Sequence, residues 1–160
     1  MTSNLHGLEV IQVLREPLLL AVHRDHRLAK RRLPALEDLS GEPFITFNPV
    51  DGKYFHDKVD SLLQTSGIRV NYVQRISQVH SILALVTAEQ GIALVPQSAR
   101  ALHFEGTVLR KLKVKTIYTK LFFAWRKDNV NPALPDFLLL MQKHFPLPTT
   151  STLERRSSGV

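Results

Sequence analysis

The stretch from residue 74 to residue 96, QRISQVHSILALVTAEQGIALVP, constrains the fold more than any other part of this chain. Its pattern predicts a strand that ends near Ile76, a polar corner at Ser77-Gln78, an amphipathic helix, and an apolar strand over 92–95 that Pro96 ends. A strand, a helix and a second strand in this order form the crossover of a parallel sheet that is buried on both faces. The polar corner then lies at the carboxyl end of a strand, where open α/β sheets bind small molecules.

The composition excludes several classes of protein. The chain has 160 residues, enough for one domain with a real core, and it has no cysteine, which rules out disulfides, thiolate catalysis and thiolate metal sites. No apolar run reaches the length of a transmembrane helix, so we expect no membrane partner and a cytoplasmic location. The seven histidines include no HExxH motif, and we expect no metal and no cofactor.

The charge balance is basic, with 21 Lys and Arg against 14 Asp and Glu. Much of the excess falls in residues 23–32, HRDHRLAKRR, and in residues 110–120. Such stretches attract phosphate-rich partners, but they are also typical of solvated loops and of edge strands, where Lys discourages pairing between sheets. Since no recognition-helix pattern or zinc spacing accompanies them, direct nucleic-acid binding by this chain is the less favoured interpretation.

The rest of the chain predicts alternating strands and helices. The predicted strands span residues 8–14, 17–23, 44–47, 70–76, 107–112 and 117–125. The predicted helical segments are a turn over 34–39, a helix that opens at Asp51-Gly52 and stops at Ser66-Gly67, a turn over 97–102, and a helix from Asn131-Pro132 to Pro146. The helix after Asp51 has its apolar stripe at Phe55, Val59, Leu62 and Leu63, and the last helix has its stripe at Leu134, Phe137, Leu138 and Met141.

Two polar corners are the candidate binding elements. The run NPVDG at residues 48–52 follows a predicted buried strand and opens a helix, and Ser77-Gln78 precedes the next helix in the same way. Two helix N-termini side by side offer backbone N–H groups to an anion such as a carboxylate. The alternative is that Asp51 and Ser77 only cap their helices, and both interpretations can hold together.

A hydrolytic site is the other chemistry that the residues suggest. His56, Asp57, Asp60 and Ser61 lie close together in the sequence. On a helix, however, His56 and Asp60 are expected to form a surface pair four residues apart, and no nucleophile-elbow pattern is present. We therefore assign no catalytic residue.

Several blocks in order resemble LysR-type transcriptional regulators. They are EPLLLAV at 16–22, DHRLA at 25–29, LEDLSGEPFI at 36–45, ILALV at 82–86, GIALVP at 91–96, FFAWR at 122–126 and the helix at 133–144. The resemblance covers residues 8–145, and it is the ordered combination of these blocks that makes it specific.

The resemblance implies an α/β, periplasmic-binding-protein-like (type II) fold, with a parallel or mixed sheet flanked by helices and an effector in the cleft between two subdomains. Residues 1–15 would be a crossover segment, 16–112 the second regulatory subdomain, 113–147 the return strand and helix of the first subdomain, and 148–160 a disordered tail. The first subdomain would be largely missing from this chain, together with one wall of the cleft.

The resemblance also places an effector site. It falls on Asn48, Pro49, Gly52, Phe55, Ser77, Gln78, Val79, His80, Val95 and Pro96. Asn48, Gly52 and Gln78 would supply main-chain or amide donors. Phe55, Val79 and Pro96 would form an apolar wall, to which His80 adds a polar contact. The loop from 48 to 55 looks closest to regulators that sense aromatic or unsaturated carboxylic acids.

The expected role is therefore effector sensing by a non-enzymatic regulatory domain. DNA contact would occur only through a helix-turn-helix domain that this chain does not contain. Self-association is expected, because the strand at 117–125 and the last helix would carry apolar surface without its natural cover. The alternatives are a solute-binding protein, a small enzyme that uses His56 or His80 as a base, and a structural dimerisation fragment.

Overall fold

The computed structural model describes residues 7–114 and 117–145. Its strands are β1 (Leu8–His23), β2 (Pro43–Phe47), β3 (Asn71–Ile76), β4 (Ile92–Pro96), β5 (Thr107–Arg110) and β6 (Tyr118–Arg126). Its α-helices are α1 (Lys53–Thr65), α2 (Val79–Thr87) and α3 (Leu134–His144), and short 3-10 helices cover Arg27–Lys30, Glu37–Leu39 and Gln97–Leu102. These elements form two compact units, one from residues 7–15 and 120–145 and the other from Glu16–Thr119.

The sheet is mixed, which confirms the expected α/β class. Its strand order is β3-β2-β4-β1-β5, and β6 pairs with β1. β2 runs parallel to β3 and β4, whereas β1 runs antiparallel to β4 and β5. The crossover through α2 is confirmed, but β3 is not buried on both faces as predicted, because it is an edge strand and its residues from Asn71 to Arg75 are exposed.

Helices cover both faces of this sheet in the Glu16–Thr119 unit. Side chains alternate along each strand, so Phe44 of β2 points to the α1 face and Ile45 to the α2 face. The core on the first face includes Leu20, Phe44, Val59, Leu62, Leu63, Ile92 and Leu94. The core on the second face includes Ala21, Ile45, Phe47, Ile82, Leu83, Val86, Ala93 and Val95. Burying the Val, Leu, Ile and Phe side chains of these two clusters contributes about 1.5–3 kcal/mol each, and this packing holds α1 and α2 against the sheet.

The end of α1 follows the predicted pattern. Ser66 is the C-cap and Gly67 has a φ of +67°, a left-handed conformation that glycine adopts without strain. Gly67 N–H donates to Gln64 C=O over 3.0 Å and Ile68 N–H donates to Leu63 C=O over 2.9 Å, the pair of bonds that ends many helices.

Two predicted boundaries are wrong. Residues 8–14 and 17–23 are not separate segments, since β1 runs unbroken through the charged Arg15 and Glu16, with Arg15 exposed. The last helix starts at Leu134 rather than at Asn131-Pro132. The Asn131 carbonyl and side-chain oxygens accept from Leu134 and Ala133 N–H in a turn before the helix, and the proline of the first turn is Pro135. The predicted tail at 148–160 lies outside the described residues.

The smaller unit has an aromatic cluster and a partly uncovered surface. The Phe123 ring stacks on Trp125 at 5.6 Å and contacts the Phe137 ring at 5.0 Å. Leu121, Phe122, Leu139 and Leu140 are exposed. Among the described residues, no helix has the length and apolarity needed to cross a membrane.

Candidate functional site

The carboxyl ends of β2, β3 and β4 lie at one edge of the sheet, since these strands are adjacent and parallel. β2 leads through residues 48–52 into α1, β3 leads through Ser77 and Gln78 into α2, and β4 leads into Gln97–Leu102. The Asn48 N–H donates to Ile76 C=O over 3.1 Å, so the pairing of β2 and β3 continues into this corner. The fold thus brings together the two corners that the sequence indicated.

Asn48 shapes its own loop. Its side-chain oxygen accepts hydrogen bonds from Val50 N–H over 2.8 Å and Asp51 N–H over 3.4 Å, a turn that Asn side chains favour. The Asn48 carbonyl accepts from Gly52 N–H over 2.9 Å. The side-chain oxygen, the carbonyl oxygen and the backbone N–H of Asn48 are thus engaged within the loop and the sheet, so a contact to a ligand would come from the side-chain NH₂ group.

Gly52 lets the loop approach β2 closely. A Cβ at this position would lie 3.1 Å from both the Asn48 carbonyl oxygen and the Phe47 Cβ, closer than nine in ten real Cβ contacts. A side chain at this position would therefore require the Asn48 carbonyl or the Phe47 side chain to shift by a few tenths of an ångström. Gly52 is buried, so its contribution to a site would come through the position of this loop.

The two corners are joined by side chains. Ser77 Oγ donates to Asp51 Oδ2 over 3.3 Å. The interpretation of Asp51 and Ser77 as capping residues is wrong, because the N-caps are Gly52 and Gln78, and neither helix has a side-chain capping bond. Asp51 and Ser77 each lie one residue before the N-cap of their helix. Their side chains bond to each other and not to the backbone N–H groups of the first helical turn.

Both helices present backbone donors at this edge. The first bond from the α1 cap runs from His56 N–H to Gly52 C=O, and the first from the α2 cap runs from Ile82 N–H to Gln78 C=O. The first N–H groups of a helix have no acceptor within the helix itself, so the starts of α1 and α2 present backbone donors here. The Gln78 side chain makes no hydrogen bond within the described part of the chain. These donors and the helix dipoles favour a negatively charged group.

Apolar side chains lie beside these donors. Phe55 stacks on the buried Phe47 with ring centroids 4.9 Å apart, and Val79 is half-buried against the same cluster. Val95 has no exposed surface and Pro96 is buried, so both support the edge from within, whereas Pro49 and His80 are exposed. Direct contacts join the two corners, from Asn48 N–H to Ile76 C=O and from Ser77 Oγ to Asp51 Oδ2.

Glu16 was not predicted from the sequence as part of this edge. Its carboxylate accepts from Ser98 N–H over 2.5 Å and from Ser98 Oγ over 3.0 Å, just after β4. These residues are 82 positions apart and meet because β1 runs antiparallel to β4. No local signal in the sequence predicts this contact. The turn after β4 thus already binds a carboxylate of the chain itself, that of Glu16.

The histidine constellation on α1 differs from the prediction. His56 Nδ1 lies 3.4 Å from Asp57 Oδ1, while Asp60 accepts from Gln64 over 2.6 Å and from Tyr72 over 3.3 Å. The predicted pair of His56 and Asp60 is therefore wrong. Hydrogen bonds from Lys53 and then from His56 lower the pKa of the Asp57 carboxyl, so it stays ionised. Within the described residues, no three or more His, Cys, Asp or Glu side chains cluster as a metal site requires.

The chain matches the model of the LysR substrate binding domain over residues 2–146. This chain belongs to the LysR family. Among curated relatives, it is 30% identical over 122 residues to the HTH-type transcriptional regulator AlsR of Bacillus subtilis, covering 76% of this chain and 40% of AlsR. It is 26% identical over 126 residues to BudR of Raoultella terrigena, covering 79% of this chain and 43% of BudR. The chain thus spans less than half the length of these relatives.

Solved structures of LysR regulators share the fold. The BenM effector binding domain with its effector benzoate aligns with a TM-score of 0.74 at 20% identity, over 90% of this chain and 66% of that one. The effector binding domain of QuiR with shikimate gives 0.76 at 19% identity, over 91% and 69%. Full-length CbnR complexed with its target DNA gives 0.75 at 24% identity, over 89% and 50%. At these identities the likeness establishes the periplasmic-binding-protein-like fold alone.

The family membership favours effector sensing over a solute-binding protein or a small hydrolytic enzyme. This chain is an effector-binding regulatory domain of the LysR type. Its relatives are transcriptional regulators and not enzymes, so the hydrolytic alternative is dropped, and the solute-binding alternative gives way to the regulatory one.

Proposed function

We propose that this LysR domain senses a small anionic molecule, and that the edge formed by residues 48–55 and 77–80 binds it. The observation that carries the proposal is the junction of the two helix starts, where Ser77 reaches Asp51 over 3.3 Å. The bond joins the loops that lead into α1 and α2, so the starts of two helices lie at the same edge of the sheet. Two helix N-termini at one edge favour a carboxylate over a neutral group.

The surroundings favour a carboxylic acid with an apolar body. Phe55 and Val79 offer half-buried apolar surface next to the donors, and Gln78 offers an unengaged side-chain amide. Pockets for small molecules usually combine mostly apolar walls with a few polar groups. Two structural neighbours carry carboxylates, benzoate in BenM and shikimate in QuiR, which supports the same ligand class here.

In the parent regulator, effector binding would bias the arrangement of the subunits and hence the contact with DNA. A ligand shifts such an equilibrium only as far as its affinities for the two states differ. DNA contact by the parent protein would come from a helix-turn-helix domain outside this chain, in keeping with the names of its relatives.

The test is a ¹⁵N NMR titration of the domain with benzoate and with shikimate. We expect the amide signals of residues 48–55 and 77–80 to shift together and to saturate. Benzamide, which keeps the ring but not the charge, should produce much smaller shifts. Shifts confined to the basic stretches at 23–32 and 110–114 would refute the proposal.

A pair of variants locates the contact further. Gln78→Ala removes the unengaged amide at the start of α2 and should weaken binding by about tenfold or more, since one hydrogen bond to a charged group is lost. Gln90→Ala is the matched control, because Gln90 is also exposed but lies beyond the other end of α2. Equal affinities for both variants and the unchanged chain would show that Gln78 does not contact the ligand.

A further inference from the structure

Among the described residues, no strand other than β1 pairs with β5 over Thr107–Arg110. Just beyond β5, Lys113 N–H donates to Pro34 C=O over 2.7 Å and Lys113 forms a parallel bridge with Ala35, so the unpaired edge is limited to β5 itself. β5 pairs with β1 in the register Leu20 to Arg110 and ends the main strand order. Arg24 N–H donates to Gly106 C=O, which sets the side of the strand that faces β1. Since the direction of backbone groups alternates along an antiparallel strand, the N–H and C=O of Leu109 point away from β1. No hydrogen bond to any described residue engages them.

A groove runs along this edge. Two adjoining cavities of ≈ 380 and ≈ 430 Å³ share Arg100, Leu109 and Arg110. The second cavity is lined by Arg32, Leu33, Arg100, Leu109, Arg110 and Lys111, and we call this set the β5 edge groove. Its floor is apolar, and it is separate from the residues of the proposed effector site.

The cations of the β5 edge groove have no counter-charge among the described residues. Four of its six lining residues are Arg or Lys and none is acidic. Arg110 donates from Nε and Nη2 to the Ala29 carbonyl over 3.0 and 2.7 Å, which fixes the guanidinium without neutralising it. Arg27 and Arg31 differ from these groove cations, because Arg27 forms an ion pair with Glu42 and Arg31 forms one with Asp38.

We propose that the β5 edge groove binds an acidic, extended peptide segment of a partner protein, which adds to the sheet as a strand beside β5. An incoming strand would pair with the free backbone groups of Leu109. Its apolar side chains would lie over Leu33 and Leu109, and its carboxylates would meet Arg32, Arg100 and Lys111. Strand addition of this kind takes affinity from main-chain hydrogen bonds and specificity from alternate side chains.

Other occupants fit these features less well. A second copy of this chain would bring four more cations to the same edge, so like charges oppose pairing of two β5 strands. Double-stranded DNA would meet the charges but would leave the backbone groups of Leu109 unpaired. The basic side chains of the groove therefore oppose pairing with a second β5 strand and favour a partner strand of negative charge.

The experiment measures the fluorescence anisotropy of a labelled peptide of alternating Glu and Val with the whole chain. We expect saturable binding that weakens about tenfold when the salt concentration rises from about 0.05 M to about 0.5 M. Reversing two charges, with Arg100→Glu and Lys111→Glu together, should weaken it by at least about tenfold. The pair Arg69→Glu and Lys143→Glu makes the same change in net charge elsewhere on the surface and should leave binding unchanged.

Backbone methylation separates strand addition from simple charge attraction. Peptides methylated at every second backbone nitrogen keep their charge but lose donors on one edge. Of the two possible patterns, one should bind as the parent peptide does and the other should lose binding. The proposal would be overturned if both methylated peptides bound equally, or if the charge reversal had no effect. It would also be overturned if no binding occurred at about 1 mM peptide, or if a DNA duplex bound more tightly and the same charge reversal abolished that binding.

Discussion

Ser77 donates a hydrogen bond to the carboxylate of Asp51 across 3.3 Å, and this bond joins the loops that open α1 and α2. The chain thus places an anion of its own between two helix N-termini, where negative charge is stabilised. A ligand carboxylate that binds at this edge must displace the Asp51 side chain or accept its repulsion. We therefore predict that the Asp51 carboxylate competes with the proposed anionic effector.

Replacing Asp51 by Asn tests this competition. Asp51→Asn keeps the shape of the side chain and removes its charge, so benzoate or shikimate should bind more tightly. At a partly exposed site the repulsion removed is about 1 kcal/mol, which corresponds to about a fivefold gain in affinity. Isothermal titration calorimetry measures the affinity of the ligand for the unchanged chain and for the variant.

Asp57→Asn is the matched control for that change. Asp57 lies in α1, the helix that follows Asp51, and its carboxylate accepts a hydrogen bond from Lys53 Nζ over 2.7 Å. We expect little change in affinity from this substitution. If Asp51→Asn instead weakens binding, the carboxylate of Asp51 is itself a contact for the ligand, and the effector is not an anion.

The secondary structure around the site could be predicted because its signals are local. The stripe of Val59, Leu62 and Leu63 predicts a helix with one buried face, and all three side chains are buried. The stop at Ser66-Gly67 needs a left-handed residue, and glycine supplies it. These signals depend only on residues within one or two helical turns, so the helix and its end can be predicted without knowledge of the tertiary fold.

The contacts that complete the site depend on strand order instead. Asp51 and Ser77 meet because β2 and β3 are adjacent and parallel, and Glu16 meets Ser98 because β1 lies antiparallel to β4. Neither arrangement follows from periodicity. The charged pair Arg15-Glu16 gave a misleading local signal, since polar side chains at a strand surface do not interrupt backbone pairing.

Gly91 should tolerate no side chain. Its φ is +157°, and an added Cβ would lie 2.7 Å from the Pro43 carbonyl oxygen at the start of β2. Because that neighbour is backbone, relief requires moving β2 away from β4. We expect Gly91→Ala to lower the free energy of unfolding by about 2–4 kcal/mol, measured by urea denaturation.

Gly41→Ala separates the clash from the backbone strain. Gly41 also has a positive φ, +75°, but an added Cβ would meet nothing within 4 Å. This control should cost only about 1 kcal/mol. Similar losses for the two variants would mean that the contact with Pro43 relaxes easily.

Glu42 holds the first basic stretch in place. One carboxylate oxygen accepts from Arg27 Nε over 2.9 Å and the other lies 3.3 Å from His26 Nε2, with only 15% of the Glu42 side chain exposed. Glu42→Gln leaves Arg27 without its charge partner and should cost about 1–2 kcal/mol of stability by thermal denaturation. Asp128→Asn, which breaks an exposed pair with Arg126, should cost much less, and an equal loss would contradict the role given to Glu42.

Self-association should depend on the exposed leucines of α3. Leu139 and Leu140 are 64% and 52% exposed, so replacing both with Glu removes apolar surface without opening the core. We expect the unchanged chain to associate with rising concentration in sedimentation velocity and the double variant to remain monomeric. Lys143→Glu adds the same negative charge to the same helix and should still associate, which separates lost apolar surface from added repulsion. Persistent association of the Leu139→Glu, Leu140→Glu chain would place the contact on another surface, since these two side chains form the most exposed apolar part of α3.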